Sequence, residues 1–227
     1  MILFQLIVFL FAISVHESAH AWTANRCGDP TARMLGRITL NPIKHIDPIG
    51  TILFPALAII AQLQFHRALP VLGWAKPTPV NPRNFKNPVL DDVLTSVAGP
   101  ISNFLVATIS VVLLVGVSLS SPTAREMVRN LPRGLVMAGL NSPLVPVTLF
   151  LYLALQTNVA LAIFNLIPVP PLDGSHVLRH FLPSPALMLY DRLGVFGLLV
   201  LVYFGGSLLN RLIDPFLAFF DFILLRF

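Results

Sequence analysis

Charge is what this sequence has least of. Of its 227 residues only 11% are Asp, Glu, Lys or Arg, where a water-soluble domain usually carries about 25%. Hydrophobic residues make up 56%, and the mean hydropathy is +0.80. A soluble fold of this size could not bury so much apolar surface, so a bilayer has to solvate much of the chain. There is one cysteine, Cys27, which excludes an internal disulfide. The net charge is +5, yet Lys and Arg form no dense run. That excludes the usual footprint of nucleic-acid binding and fits loops lying against anionic lipid. No internal repeat or low-complexity stretch is present. No Lys or Arg precedes the apolar run from Met1 to Val15, so the basic start of a secretory signal peptide is missing, although Ala19-His20-Ala21 imitates a cleavage site. The segment is expected to persist as a membrane helix. The length allows one domain, 1–227, built of several membrane segments.

What is present is a series of apolar stretches. Met1 to about Trp22 is long enough to span hydrocarbon. Thr23 to Asp47 is basic, with Arg26, Arg33, Arg37 and Lys44, and a short strand is expected over Arg33–Leu40. Residues 49–64 are apolar but interrupted by Pro55. Phe65 to Val89 is basic and proline-rich, which predicts an extended course. Both basic loops flank 49–64, so the positive-inside rule favours a re-entrant segment there rather than a crossing. It also favours a cytoplasmic position for both loops. Val93–Ser118 and Val145–Leu166 are expected to be helices, with a polar loop over 120–143 between them. Leu193–Leu209 is a further candidate span, and the tail from Pro215 is expected to be interfacial or a partial span. The fold class expected is an all-α, multi-pass membrane protein, with short strands or extended segments after the first helix.

The chemistry starts at His16-Glu17-Ser18-Ala19-His20. On a helix, positions i and i+4 share a face. Two imidazoles so placed can hold one zinc ion, and the glutamate between them can act as base towards a polarised water. Ionisable groups in a segment that enters lipid are costly and usually functional. Two histidines leave a catalytic zinc one protein ligand short. Asp173 suits that place, since it lies at membrane depth in a proline-rich turn that can present a carboxylate sideways. Asp173 with His176 and His180 is a rival set, but residue 177 is Val, so that pair carries no adjacent base. His45 and His66 have no partner in spacing and are expected to be solvated.

Three motifs occur in order: His16-Glu17-x-x-His20; Gly99-Pro100-x-x-Asn103; and Asn165-Leu166-Ile167-Pro168-x-Pro170-Pro171-Leu172-Asp173-Gly174. Together they resemble the site-2 protease family of intramembrane metalloproteases, and the third is the most specific. The resemblance implies a catalytic core of three transmembrane helices plus extra membrane segments. It implies one zinc ion on His16, His20 and Asp173, with Glu17 as acid–base. It implies that Asn165 helps to stabilise the oxyanion, and Asn103 matches the asparagine of the middle helix. The segment Gly73-Trp74-Ala75-Lys76 through Pro82 resembles small bacterial members, and it could bind an unwound substrate strand by β-addition. The length leaves no room for an added PDZ or nucleotide-sensing domain. The function expected is hydrolysis of peptide bonds in membrane-embedded protein substrates at the cell membrane, with the active site near the cytoplasmic face. A metal-ion transporter is the alternative. The sequence carries no sign of oligomeric state.

Overall fold

The computed structural model describes residues 2–53, 75–134 and 142–227. Of the expected re-entrant segment 49–64, residues 54–64 lie outside the described residues, as do His66, Gly73 and Trp74. Among the described residues the chain is helical and has no β-strand. Eight α-helices are described: α1 (Ile2–Cys27), α2 (Thr31–Met34), α3 (Pro88–Ser118), α4 (Pro122–Asn130), α5 (Leu144–Leu166), α6 (Asp173–Arg179), α7 (Ser184–Phe204) and α8 (Gly206–Arg226).

Among the described residues three stretches are long and apolar enough to cross a bilayer: Phe4–Cys27 of α1, Pro88–Ser118 (α3) and Leu144–Leu166 (α5). At 1.5 Å per residue even the shortest measures about 35 Å, more than the roughly 30 Å hydrocarbon core. The protein is therefore an integral membrane protein with a three-helix centre. Side chains such as Leu6, Phe11, Ile101, Leu105, Ile109 and Val112 point outwards, as lipid-facing positions should. Small or β-branched residues make up part of what is buried between the helices: Ala12, Ala21, Ala24, Ala107, Val159 and Ala162. In lipid the apolar side chains gain little by leaving their solvent, so close backbone approach and dispersion hold such helices together. Ala107, Val111 and Leu114 of α3 meet Tyr152, Leu155 and Val159 of α5, with Val128 of α4 and Phe220 and Leu224 of α8 closing the cluster.

Several expectations differ from what is observed. The stretch read as a strand over 33–40 begins instead as the helical turn α2, followed by Gly36 at φ +67°, a left-handed conformation that glycine adopts without strain. The polar loop 120–143 contains α4. Ser121 accepts the N–H of Ala124 at 3.1 Å, and Pro122 occupies the first helical position, which is a regular helix start. The span read over 193–209 is divided between α7 and α8 at Gly205. The tail from Pro215 lies within α8, which buries Phe220 and Leu224 against the core, and Tyr152 Oη donates to Asp221 at 3.0 Å.

The loops at the far end of α1 are fastened by polar groups. Asp29 is fully buried and accepts from the N–H and hydroxyl of Thr31, the Asn81 N–H (2.7 Å) and the Asn84 amide (2.8 Å). Burial alone would raise its pKa, but those four donors outweigh it and hold the carboxyl below the usual range. Arg37 is buried and donates to the carbonyls of Lys44, Lys76 and Pro77. His45 was expected to be solvated. It is only 2% exposed, with Nε2 at 2.8 Å from the Thr39 carbonyl.

Candidate metal centre and active site

His16 and His20 lie one turn apart on α1 and point at α3. Gly99 makes room for them. A Cβ built there would stand 2.6 Å from Cε1 and Nε2 of His16 and closer still to Nε2 of His20, so only glycine fits. Asp173 arrives from the other side. After α5 ends, Ile167 is extended (ψ 129°) ahead of Pro168, as residues before proline usually are. The chain then doubles back so tightly that Gly174 packs on the carbonyls of Leu166 and Ile167, which places Asp173 at the start of α6.

The three groups converge. His16 Nε2 and His20 Nε2 are 3.0 Å apart, and Asp173 Oδ2 lies 3.1 Å from the first and 3.4 Å from the second. Among the described residues this is the one cluster of at least three His, Cys, Asp or Glu that could hold a metal ion. The partners of the other ring nitrogens decide what the cluster wants. His20 Nδ1 is 2.7 Å from the Thr95 carbonyl, which can only accept, so Nδ1 carries the proton. His16 Nδ1 is 3.0 Å from Asn103 Oδ1, an acceptor again. Both Nε2 atoms then direct lone pairs at each other and at a carboxylate oxygen that has no hydrogen-bond donor. Three facing lone pairs repel unless a cation joins them. Edges of 3.0–3.4 Å are close to the roughly 3.3 Å edge that bonds of about 2.0–2.1 Å make around a tetrahedral centre. The residues present fit a zinc ion, and hydrogen bonds on the outer nitrogens orient both imidazoles for one.

Glu17 sits between the histidines, and its carboxylate faces residue 78. Thr78 N–H donates to Oε2 at 2.8 Å, and Thr78 Oγ1 lies 2.7 Å from the same oxygen. Asn165, at the end of α5, donates one amide proton to the Leu161 carbonyl at 3.0 Å, leaving the other proton free. Ala75 and Lys76 belong to an irregular segment whose backbone is already used: Lys76 N–H donates to the His45 carbonyl at 2.9 Å, and its own carbonyl accepts from Arg37. The rival set is not assembled. His180 Nε2 is 2.8 Å and His176 Nδ1 3.6 Å from oxygens of Asp92 on α3, so both histidines turn from Asp173 to that carboxylate. Three supporting groups were not legible from sequence. Thr95 acts through a backbone carbonyl, which every residue has. Thr78 and Asp92 act through contacts 61 and 88 residues away in sequence.

A multi-pass membrane protein with two helix-borne histidines, a distant aspartate and an adjacent glutamate is of the hydrolytic metalloenzyme class. The model of peptidase family M50 matches residues 4–201, and the chain belongs to that family, the site-2 protease family its motifs resemble. It is 37% identical over 215 residues to "Putative zinc metalloprotease YwhC" of Bacillus subtilis (strain 168), covering 94% of this chain and 85% of that protein. It is 28% identical over 216 residues to "Putative zinc metalloprotease Rip2" of Mycolicibacterium smegmatis, covering 94% of this chain and 71% of that one. No solved structure matches the chain.

Proposed function

We propose that this zinc metalloprotease is an intramembrane endopeptidase that cuts membrane-embedded protein substrates, with its site near the cytoplasmic face of the cell membrane. Zinc is its cofactor, and His16, His20 and Asp173 hold one ion. The observation that carries this reading is the convergence of the ligand atoms of His16, His20 and Asp173 beside Glu17, on helices long enough to span lipid. Zinc held there supplies Lewis acidity towards the scissile carbonyl and the attacking water. Glu17 accepts the proton of that water and returns it to the departing amine. The free amide proton of Asn165 is available to the carbonyl oxygen as negative charge develops on it. A substrate helix satisfies its carbonyls internally, so it must unwind locally before attack. The segment containing Ala75 and Lys76 is tied through Thr78 to Glu17, which favours a place for it beside the unwound strand. Arg26 in the last turn of α1, and Arg33, Arg37, Lys44, Lys76, Arg83 and Lys86 in the segments that follow it before α3, lie in the stretch between those two helices, which supports a cytoplasmic position. We read residues 1–227 as one membrane domain.

The test is Glu17→Gln in cells that co-express a membrane substrate. The variant should keep its zinc and lose cleavage. Cleavage by Glu17→Gln at the wild-type rate would reject the reading.

A further inference from the structure

We propose that Thr78 is a positioning residue for Glu17, and that residues 76–81 form a strap whose purpose is to aim the base. This rests on the reading of Glu17 as the proton acceptor. The strap has no regular secondary structure of its own, yet it is tied at four residues. Lys76 N–H bonds the His45 carbonyl at 2.9 Å, and Arg37 Nη2 reaches the carbonyls of Lys76 and Pro77 at 3.2 and 2.9 Å. Thr78 bonds Glu17, and Asn81 N–H bonds the buried Asp29 at 2.7 Å. Pro77 and Pro79 flank Thr78, and their fixed φ angles narrow the backbone positions it can take. A stiff segment with anchors on either side of one residue delivers that residue to a defined place.

What it delivers is a fork. Thr78 N–H and Oγ1 approach the same oxygen, Glu17 Oε2, at 2.8 and 2.7 Å. Oγ1 also lies 3.0 Å from the Glu17 main-chain carbonyl, and its single proton serves one of these acceptors at a time. A free glutamate side chain on a helix samples several rotamers. Two donors on Oε2 select one of them and leave Oε1 as the oxygen that takes the proton. Bonds to a carboxylate are stronger than those between neutral groups, so the fork can hold the carboxylate against thermal motion. General-base catalysis depends on such placement, because an ångström of misalignment can cost about a hundredfold in rate.

The test compares Thr78→Val, which keeps the shape and the N–H but removes the hydroxyl, with Thr78→Ser, which keeps the hydroxyl. Full-length protein in liposomes is assayed with fluorescein-labelled casein, an unfolded probe that needs no unwinding. Thr78→Val should lower kcat about tenfold, leave KM within about twofold, and retain one zinc per chain. Thr78→Ser should stay within about twofold of wild type. If Thr78→Val fails to accumulate in membranes, Thr78→Ala makes the same comparison. Wild-type kcat in the hydroxyl-free variant would overturn the proposal. So would a rise in KM with kcat intact, loss of zinc, or a serine variant as impaired as the valine one. Glu17→Gln is run alongside. If it still cleaves, the reading of Glu17 fails; if it is dead while Thr78→Val is normal, only the strap proposal fails.

Discussion

Gly99→Ala tests the metal centre without touching a ligand. The added methyl would lie 2.6 Å from His16 Nε2, whereas ordinary contacts of this kind begin near 3.4 Å. The imidazole must therefore retreat by about 0.8 Å, and His20 by more. Metal–ligand distances tolerate only about ±0.2 Å. The displacement cannot be absorbed at the metal, and both histidines are anchored behind by Asn103 and Thr95. Zinc affinity should fall at least about 100-fold, close to 2.8 kcal/mol at 1.4 kcal/mol per tenfold. Helix propensity acts the other way, since alanine is about 1 kcal/mol better than glycine within a helix. The zinc-free protein should therefore not be less stable than wild type for want of helix. The assay is competition for zinc against a chelator of known affinity, with thermal unfolding measured in excess chelator. Gly116, also in α3, has open space where its Cβ would be, so Gly116→Ala is the control. If Gly99→Ala binds zinc within about threefold of wild type, the assembled histidine pair is not the metal site.

Two further predictions concern the elements that carry the site. At Gly174 a Cβ would meet backbone, 2.6 Å from the Leu166 carbonyl carbon and 2.8 Å from the Ile167 oxygen. Backbone cannot swing aside as a side chain can, so Gly174→Ala should destabilise the turn by about 1–3 kcal/mol and release zinc, read as a lower thermal midpoint and lost metal. Asp29 contributes to acid stability. Its pKa is lowered on folding, so its contribution is complete above the unfolded value near 3.9 and is lost as pH falls through the folded one. Asp29→Asn should cost about 2–3 kcal/mol near neutrality and flatten the decline below about pH 4 in unfolding scans from pH 3 to 7. An unchanged acid slope would remove Asp29 from the account.

The parts of the site that lie on one helix were legible, because helical period alone puts His16, Glu17 and His20 within one turn. Asp173 was legible from its place in a proline-rich turn at membrane depth and from its motif, not from spacing, since 153 residues separate it from His20 and no periodicity spans that gap. The three long apolar spans were legible because lipid admits little else that satisfies its backbone. The loops were not. His45 looked solvated because hydropathy has no term for a loop held shut by a buried arginine and a buried aspartate. The α4 helix was overlooked although Ser121-Pro122 is a regular start and Ala124, Met127 and Val128 share a buried face, since its nine residues fall short of the roughly 11–18 over which helical periodicity is read.

The helix that supplies none of the three ligands is the one that organises them. Along α3, Asp92, Thr95, Gly99 and Asn103 follow at intervals of three or four and so share a face. Asp92 bonds His180 just beyond α6, the helix that begins with Asp173. Thr95 orients His20, Gly99 admits both imidazoles, and Asn103 orients His16. Ile101, Leu105, Ile109 and Val112 look outwards from the same helix, each more than half exposed. One face of α3 therefore answers to the metal and the other to the bilayer. Substitutions on the first should alter zinc affinity although none removes a ligand, because tuning a centre through its surroundings is ordinary for metal sites. Apolar exchanges on the second should leave zinc untouched. The division follows from the fold: α3 packs against α1, which carries the two histidines, and against α6, which begins with Asp173.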